Sequence, residues 1–291
     1  MHMMRVIAEI GCNHKGDVGI AKQMVSVAAG YCRVYAVKFQ KRHNKELLSE
    51  AQYNTLHPVP ENSYGQTYGL HREALEFTQA QHAALKEHCE KEGVVYSTSV
   101  WDLTSAKEIA ALQPDLIKIP SACNLHFPMQ EYLCRQYPGQ IHLSLGMTSL
   151  EEMDRIVAFY ESHGRAKDLV VYACTSGYPV AFEDVCLLEV ERLKKQFGRR
   201  VGQIGFSGHR LGIAVDIAAL TLGAEWVERH FTLDRTWKGT DHAASLEPDG
   251  MRKLCRDVAN LEKSLAYKRE EILPVEAVQR EKLKWRPQAY A

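Results

Sequence analysis

The sequence has no excess of charge of either sign, because its Lys and Arg residues total 36 and its Asp and Glu residues also total 36. Proteins that bind nucleic acid or anionic membranes usually carry a basic excess. It also has no apolar run near the roughly 20 residues that cross a bilayer. Residues 1–10 lead directly into a strand pattern rather than a signal peptide. We therefore expect a cytoplasmic protein with no nucleic-acid or membrane partner.

The sequence also lacks paired cysteine motifs and low-complexity segments. It has no internal repeat beyond the unit of one strand followed by one helix. The eight cysteines are scattered without the spacing of a zinc site: Cys12, Cys32, Cys89, Cys123, Cys134, Cys174, Cys186 and Cys255. A chain of 291 residues has room for one large core and needs no disulfide framework. We interpret the cysteines as mostly reduced packing residues.

The chain does contain eight apolar, β-branched runs that end in short polar motifs and precede helix-like segments. The predicted strands are 5–11, 34–40, 94–99, 116–120, 141–144, 169–173, 201–206 and 226–230. The predicted helices are 20–29, 79–92, 103–112, 129–136, 150–162, 183–197, 212–222 and 248–266. This alternation predicts an α/β protein, a (β/α)₈ TIM barrel over 1–266, with a charged C-terminal tail over 267–291. The strand ends of such a barrel converge on its catalytic face.

Residues 41–77 interrupt the alternation and form the longest irregular stretch. They include Tyr64, Tyr68, His71, Arg72 and Phe77, side chains that are costly to leave flexible. Long segments of this kind inside compact domains are usually functional. We expect a lid or a subunit contact rather than disorder.

Two histidines, His209 and His230, end the seventh and eighth predicted strands. Neutral imidazoles on adjacent strand ends can share a divalent cation and leave positions for water and substrate. Either histidine is also compatible with a surface or hydrogen-bonded role. Glu228 lies two residues before His230, so both point into the barrel, where Glu228 could ligate the cation, orient a ligand or form a structural pair.

Two lysines, Lys38 and Lys118, are flanked by apolar strand residues and therefore need a negative partner. Ser121, Ser144 and Ser207 lie at or just beyond strand ends, where hydroxyl and backbone groups can bind phosphate oxygens. An isolated serine there is more often a turn or cap residue. Together with the lysines, these serines favour a phosphate or carboxylate site. A Schiff-base aldolase also places a lysine on a barrel strand and stays an alternative.

Over residues 7–251 the sequence resembles the sialic acid (N-acetylneuraminate) synthase family, which includes legionaminic and pseudaminic acid synthases. Its most specific motifs are Ala-Glu-Ile-Gly-Cys-Asn-His-Lys-Gly-Asp at 8–17 and Thr-Asp-His-Ala-Ala-Ser-Leu-Glu-Pro-Asp at 240–249. The resemblance implies a phosphoenolpyruvate-dependent transferase of carbohydrate biosynthesis. Its substrates are phosphoenolpyruvate and an open-chain sugar aldehyde, typically N-acetylmannosamine. Its products are a 2-keto-3-deoxy ulosonic acid and phosphate.

The resemblance also implies roles for individual residues. It implies a phosphoenolpyruvate site made of Lys38, Thr98, Lys118, Ser121, Ser144 and Ser207. His209 and His230 are implied ligands of Mn²⁺ or Mg²⁺. The implied sugar-binding residues are Glu9, Tyr178 and Asp241, with Gln40, Asn13, His14 and His242 in motifs around the same pocket. Glu9 or Glu228 is expected to transfer a proton, and the sequence does not choose between them.

Three features depart from the family pattern. Gly208 replaces an aspartate beside the first metal ligand, and Leu145 replaces a threonine near the anion site. The third departure is the expected absence of the small antifreeze-like domain that commonly follows the barrel and covers the sugar. We therefore expect either closure by residues 41–77 and the tail, or a different acceptor sugar. A homodimer through barrel contacts stays possible, as does a non-catalytic or regulatory barrel that binds an acidic or phosphorylated metabolite.

Overall fold

The computed structural model describes residues 4–177, 180–210 and 212–285. Eight parallel strands close into one barrel, in which neighbours in the sequence are neighbours in space. The strands are β1 (Arg5–Gly11), β2 (Ala36–Lys41), β3 (Val95–Val100), β4 (Leu116–Ile119), β5 (Gln140–Ser144), β6 (Leu169–Cys174), β7 (Gln203–Gly208) and β8 (Trp226–His230). β8 pairs with β1 and closes the ring. The predicted (β/α)₈ barrel is confirmed.

Twelve α-helices lie within the described ranges, and the longer ones surround the barrel. They are α1 (Val18–Ser26), α2 (Asn44–Leu47), α3 (Glu50–Asn54), α4 (Tyr68–Ala74), α5 (Gln79–Glu92), α6 (Leu103–Ala110), α7 (Phe127–Gln136), α8 (Leu150–Ser162), α9 (Glu189–Phe197), α10 (Ala214–Thr221), α11 (Pro248–Ser264) and α12 (Pro274–Leu283). Local sequence sets several helix starts. Thr78 and Ser149 form capping boxes at α5 and α8, and Asp102 accepts a hydrogen bond from the backbone of Ser105 at α6. None of the helices in these ranges is long and apolar enough to cross a membrane.

Side chains alternate between the two faces of every strand, and this alternation sorts the core into two layers. The outer layer packs the strands against the helices and includes Val37, Phe39 and Tyr96. The inner layer fills the lower part of the barrel with Ile7, Ala36, Leu116, Val170, Tyr172 and Trp226. Inward positions two residues further along carry polar side chains, among them Glu9, Lys38 and Lys118. The chemistry is therefore confined to the carboxyl ends of the strands.

A chain of buried hydrogen bonds fills the barrel interior among these apolar side chains. The hydroxyl of Tyr172 lies 2.7 Å from Nδ1 of His142, and the other ring nitrogen of His142 lies 2.9 Å from the side-chain oxygen of Gln140. The side-chain oxygen of Gln203 accepts hydrogen bonds from Gln140 and from the indole of Trp226. Since these groups satisfy one another, the interior is a packed floor rather than a pore.

Two predicted elements differ from the structure for local reasons. The helix predicted over 183–197 is a 3₁₀ turn at Phe182–Asp184 followed by α9. Cys186 between them has φ of 48°, and this left-handed backbone breaks the helix. The helix predicted over 20–29 is α-helical only as far as Ser26, and a π-helical turn, Val27–Cys32, follows it. Other boundaries differ by a few residues.

The prediction that 41–77 is irregular is wrong. This stretch contains α2, α3, α4 and a 3₁₀ turn at Pro60–Asn62. The helices have four to seven residues, too few for an apolar period to be recognised in the sequence. In the predicted tail, α12 is an additional helix with exposed Val275 and Val278. No observation tests the domain boundary at 266, which stays a prediction.

A buried ion pair fixes α10 against the end of β8. The guanidinium of Arg229 contacts the carboxylate of Asp216, and both side chains are 1% exposed. Arg229 also donates to the carbonyl oxygens of Gly212, at 2.7 Å, and Arg210. Arg229 lies between Glu228 and His230, so the pair holds the backbone that positions both of those side chains.

We predict that Asp216→Asn lowers the free energy of unfolding by about 3 to 5 kcal/mol, because Arg229 is left as an uncompensated buried charge. Urea unfolding followed by circular dichroism measures this. The matched control is Asp168→Asn, because Asp168 also pairs with an arginine, Arg165, but its side chain is 50% exposed. The control should change stability by no more than about 0.5 kcal/mol. Equal effects of the two substitutions would contradict the assignment.

Candidate active site

A cavity of about 440 Å³ opens at the carboxyl ends of the strands. Its lining contains eleven of the residues predicted from the sequence: Glu9, Lys38, Gln40, Lys118, Ser121, Ser144, Ser207, His209, Glu228, His230 and Asp241. They come from six different strands or the segments that follow them. The barrel thus brings side chains from distant parts of the sequence into one pocket.

Four buried charges form the base of this cavity. Nζ of Lys118 donates to both carboxylate oxygens of Glu228, at 3.1 and 3.2 Å. Nζ of Lys38 lies 3.6 Å from Glu228, contacts the carboxylate of Glu9 and donates to Ser99 Oγ at 2.8 Å. None of the four charged residues is more than 7% exposed. Two positive and two negative charges neutralise one another, which is how a buried cluster of ionised groups is tolerated.

The same cluster moves the pKa values of its two carboxyl groups in opposite directions. Burial raises the pKa of Glu9, with a further rise from Glu228, and the charge of Lys38 only partly opposes this. Burial also acts to raise the pKa of Glu228, but Lys118 and Lys38 outweigh it and hold that pKa below its usual range. Two carboxyl groups with divergent pKa values are suited to different roles.

The pKa values of the two lysines are also shifted in opposite directions. Burial acts to lower the pKa of Lys38, but Glu228 and Glu9 outweigh it and raise that pKa. For Lys118 burial prevails, with a contribution from Lys38, and its pKa is lowered despite the contact with Glu228. Lys118 also lies with Nζ 3.9 Å from the ring centroid of Tyr172, a cation–π contact with the barrel floor.

Hydroxyl groups surround the charged cluster. Ser207 Oγ donates to Glu228 at 3.3 Å, and Ser121 Oγ accepts from the backbone of Gly146 at 3.1 Å. Gly146 allows this close approach, because a Cβ there would lie 2.7 Å from Ser121 Oγ and 2.3 Å from Ser176 Oγ. Ser99, Ser144 and Ser176 also line the cavity. The cluster therefore has several donors for the oxygens of an anion.

His209 and His230 lie next to each other at the rim of the cluster, with ring centroids 5.5 Å apart. Burial, together with the neighbouring His230, lowers the pKa of His209 to about 3. A neutral imidazole is the form that binds a metal. Asp241 Oδ2 lies 4.0 Å from Nδ1 of His230. This donor set suits a divalent cation that keeps water or substrate in its other positions.

Within the described part of the chain, no group of three or more His, Cys, Asp or Glu side chains is arranged to hold a metal by itself. An aspartate at position 208, as in the family pattern, would not complete such a group, because position 208 lies on the outer face of β7. Gly208 faces outward, where a Cβ would lie 3.1 Å from Asp216 and 3.3 Å from Arg229. A carboxylate there would crowd the buried ion pair, so the glycine is compatible with this packing.

The structure places Thr98 outside the cavity, so its predicted contact with phosphoenolpyruvate is wrong. Thr98 pairs with Phe39 in the sheet and shares the outer face of β3 with Tyr96, whose ring stacks on Phe39. Ser99 points inward instead and contacts Lys38. The run Ser97-Thr98-Ser99 is polar throughout, so its sequence carries no signal for which side chain faces the barrel.

Three other predicted pocket residues also lie elsewhere. His242 is buried behind the cavity, with Nδ1 2.7 Å from Thr232 Oγ1. Asn13 donates to the carbonyl oxygen of Phe231 and to Ser245, and His14 stacks on Phe77. The contacts of Asn13 hold the loops after β1 and β8 together. Tyr178 lies outside the described residues.

Residues 41–77 contribute several side chains to the lining of the cavity, and their role as a lid stays a prediction. Arg42, His57, Tyr68, His71 and Arg72 line the cavity from this segment. Sequence reasoning missed Arg42, together with Trp101 and Met147, which line the cavity from other loops. Arg42 follows Lys38 and Gln40 with the period of a strand, and this spacing was an available signal.

Comparison with known proteins identifies the family. The NeuB family profile matches residues 24–270. The chain is 36% identical over 287 residues to human N-acetylneuraminate-9-phosphate synthase, covering 97% of this chain and 77% of that protein. It is 30% identical over 261 residues to N,N'-diacetyllegionaminic acid synthase of Campylobacter jejuni, covering 89% and 77%.

Solved structures agree with this result. The sialic acid synthetase of Leptospira borgpetersenii, crystallised with citrate, superposes with a TM-score of 0.80 at 25% identity, over 98% of this chain and 93% of that one. A truncated 3-deoxy-D-arabino-heptulosonate 7-phosphate synthase of Thermotoga maritima has a TM-score of 0.69 at 14% identity, over 91% and 88%, and shares the fold. The chain belongs to the NeuB family and is an enzyme of that family.

Proposed function

We propose that the protein condenses phosphoenolpyruvate with an open-chain sugar aldehyde and releases a 2-keto-3-deoxy ulosonic acid and phosphate. The observation that carries this proposal is the position of Lys38 and Lys118 beside two carboxylates and a ring of serines, below His209 and His230. Relatives that make N-acetylneuraminate 9-phosphate and N,N'-diacetyllegionaminic acid support the same reaction type.

Phosphoenolpyruvate would bind at the base of the cavity. Lys38 and Lys118 would contact its phosphate and carboxylate, and Ser99, Ser121, Ser144 and Ser207 would donate to the remaining oxygens. The two lysines are already balanced by Glu9 and Glu228, so the ligand brings negative charge that the protein does not neutralise. This imbalance favours an additional cation in the site.

His209 and His230 would hold that cation, Mn²⁺ or Mg²⁺, through neutral imidazole nitrogens. When bound, the cation supplies a Lewis acid that polarises the sugar aldehyde. Glu9, Gln40 and Asp241 would bind the sugar at the same rim. Gln40 donates to Glu9 at 3.3 Å, which keeps the carboxyl group of Glu9 directed into the cavity.

The two carboxyl groups would then have separate roles. Glu9 is ionised in its contact with Lys38, and its raised pKa suits it to take up a proton when phosphoenolpyruvate brings further negative charge beside it. It would donate that proton to the aldehyde oxygen as C3 of phosphoenolpyruvate attacks the aldehyde carbon. Positive charge develops at C2, and the ionised Glu228 below would stabilise it. Water adds to C2 and gives a proton to Glu9. Cleavage of the C2–O bond then releases phosphate, which takes the proton of the new C2 hydroxyl as that group becomes the keto oxygen.

The decisive experiment measures phosphate release from phosphoenolpyruvate with Mn²⁺ and a panel of aldoses including N-acetylmannosamine, mannose and arabinose. We expect release that requires both an aldose and the metal and that stops when a chelator is added. Binding of phosphoenolpyruvate without release for any aldose would favour a regulatory barrel. The cytoplasmic location and a homodimer stay predictions.

We predict that His209→Ala and His230→Ala each lose bound metal and lower turnover by about 100-fold or more, since a Lewis acid contributes several kcal/mol to such a step. Metal content by mass spectrometry and phosphate release measure the two effects. His163→Ala is the control, because His163 is a half-buried histidine at the end of α8 with its Nδ1 on a backbone carbonyl. Unchanged metal content in both site variants would refute the metal assignment.

We predict that Lys118→Gln lowers kcat/KM for phosphoenolpyruvate by about 100- to 1000-fold, because a charged donor to the developing anion is lost. Steady-state kinetics on folded protein measure this. Lys107→Gln, on the exposed side of α6, removes the same charge far from the cavity and should leave kcat/KM unchanged.

The Schiff-base alternative is tested on the unmodified enzyme. If Lys118 formed a Schiff base with a keto acid, added borohydride would reduce it to a stable covalent adduct. We expect no trapped adduct during turnover. A covalent adduct at Lys118 would show that the lysine acts as a nucleophile and not as a charge.

A further inference from the structure

One of the two lysines at the base of the cavity, Lys118, rests on an aromatic ring. Its Nζ lies 3.9 Å from the ring centroid of Tyr172, which is completely buried on β6. An ammonium group has three N–H donors, and Lys118 directs two of them to the carboxylate of Glu228. A ring face attracts a cation without an acceptor atom, so it leaves the remaining N–H group available for a ligand.

The neighbouring strand leaves space for this ring. Gly205 on β7 pairs with Tyr172, and a Cβ at position 205 would lie 2.5 Å from a ring carbon of Tyr172. Carbon atoms in contact lie about 3.5 to 4.0 Å apart, so any side chain at position 205 would displace the ring. The glycine is therefore part of what places the ring beneath Lys118.

The hydroxyl group of Tyr172 belongs to the chain of hydrogen bonds in the barrel floor, and a carboxylate sets the direction of that chain. At its far end the amide nitrogen of Gln203 donates to the carboxylate of Glu225 at 2.8 Å. The side-chain oxygen of Gln203 then accepts from the amide nitrogen of Gln140 at 3.2 Å. The side-chain oxygen of Gln140 in turn accepts from Nε2 of His142 at 2.9 Å. The ring proton of His142 is therefore on Nε2.

His142 consequently accepts a hydrogen bond from Tyr172. Burial and the charge of Lys118 hold the pKa of His142 well below its usual range, so its ring is neutral near pH 7 and carries one proton. With that proton on Nε2, Nδ1 accepts the hydroxyl proton of Tyr172 at 2.7 Å. The hydroxyl is fixed to His142, and the contact with Lys118 is made by the ring face.

We propose that Tyr172 is a positioning residue that acts on the bound anion through Lys118. Its ring holds the ammonium group at the base of the cavity, and the hydrogen-bonded floor holds the ring. Tyr172 belongs to the inner core layer, so it would affect the substrate without touching it. The inference rests on the proposed function for the identity of the anion, phosphoenolpyruvate.

The test measures the affinity of the Mn²⁺-loaded enzyme for phosphoenolpyruvate by isothermal calorimetry without a sugar. Tyr172→Leu removes the ring face and keeps an apolar side chain. We expect it to raise Kd by about 10- to 30-fold, as for the loss of a desolvated cation–π contact. KM for phosphoenolpyruvate should rise by a similar factor, while KM for the aldose stays unchanged.

Tyr172→Phe is the conservative variant, because it keeps the ring face and removes the hydroxyl. It should change Kd by less than about 3-fold, although Nδ1 of His142 loses its donor and the melting temperature falls. Gly205→Ala displaces the ring without altering Tyr172 or Lys118, and it should raise Kd in the same direction as Tyr172→Leu.

Val170→Ala is the matched control. Val170 lies two residues earlier on β6, in the same inner core layer, and is completely buried. Its truncation should lower the melting temperature and leave Kd unchanged, because it loosens the floor without removing the contact with Lys118. Thermal unfolding shows that each variant is folded.

A double-mutant cycle with Lys118→Gln decides whether Tyr172 acts through the lysine. We expect Tyr172→Leu to raise Kd in the unmodified enzyme and to have no further effect once Lys118 is replaced. An equal increase in both backgrounds overturns the inference, as does an increase of the same size in Val170→Ala. Equal increases in Tyr172→Phe and Tyr172→Leu overturn it too, because they assign the effect to the hydroxyl.

Failure of this inference and failure of the proposed function give different results. Inorganic phosphate is titrated in the same way as a second anion, so the coupling is measured whether or not phosphoenolpyruvate reacts. Coupling between Tyr172 and Lys118 without phosphate release for any aldose supports the positioning role and counts against the synthase. Phosphate release without coupling overturns the positioning role and leaves the synthase intact.

Discussion

Mutual neutralisation of Glu9, Lys38, Lys118 and Glu228 makes the inside of this barrel usable as a site. Ionised groups this deeply buried persist only when opposite charges lie within contact distance, and the parallel strands deliver them to the same level. Below them Tyr172 and the hydrogen-bonded floor fill the barrel completely. The charges therefore face upward, toward any anion that enters from the mouth.

The strands and the loops supply different parts of the cavity lining. Lys38 and Lys118 are strand side chains buried at the base of the cavity. Arg42 and Arg72 of residues 41–77 line the same cavity from outside the barrel strands. A barrel of this design can accept different sugars through changes in its loops while its base stays constant.

Two side chains expected in the pocket, those of Thr98 and His242, point elsewhere for a common reason. Thr98 and His242 were assigned to the pocket because they belong to the right motifs, yet one lies on the outer face of β3 and the other behind the cavity. A motif specifies the segment of chain but not the direction of each side chain. That direction depends on strand register for Thr98, and on the packing of the loop after β8 for His242.

Local sequence patterns were enough to predict the eight strands, their order, and the lysines and histidines near their ends, because apolar periodicity and polar strand ends are local properties. The exchange of Ser99 for Thr98 in the cavity, and the left-handed backbone at Cys186 that interrupts a helix, became visible in the folded barrel alone. The fold also brings Arg42 against its partner Glu76. Partners of a buried charge come from segments far apart in the chain, and no local pattern encodes whether they meet.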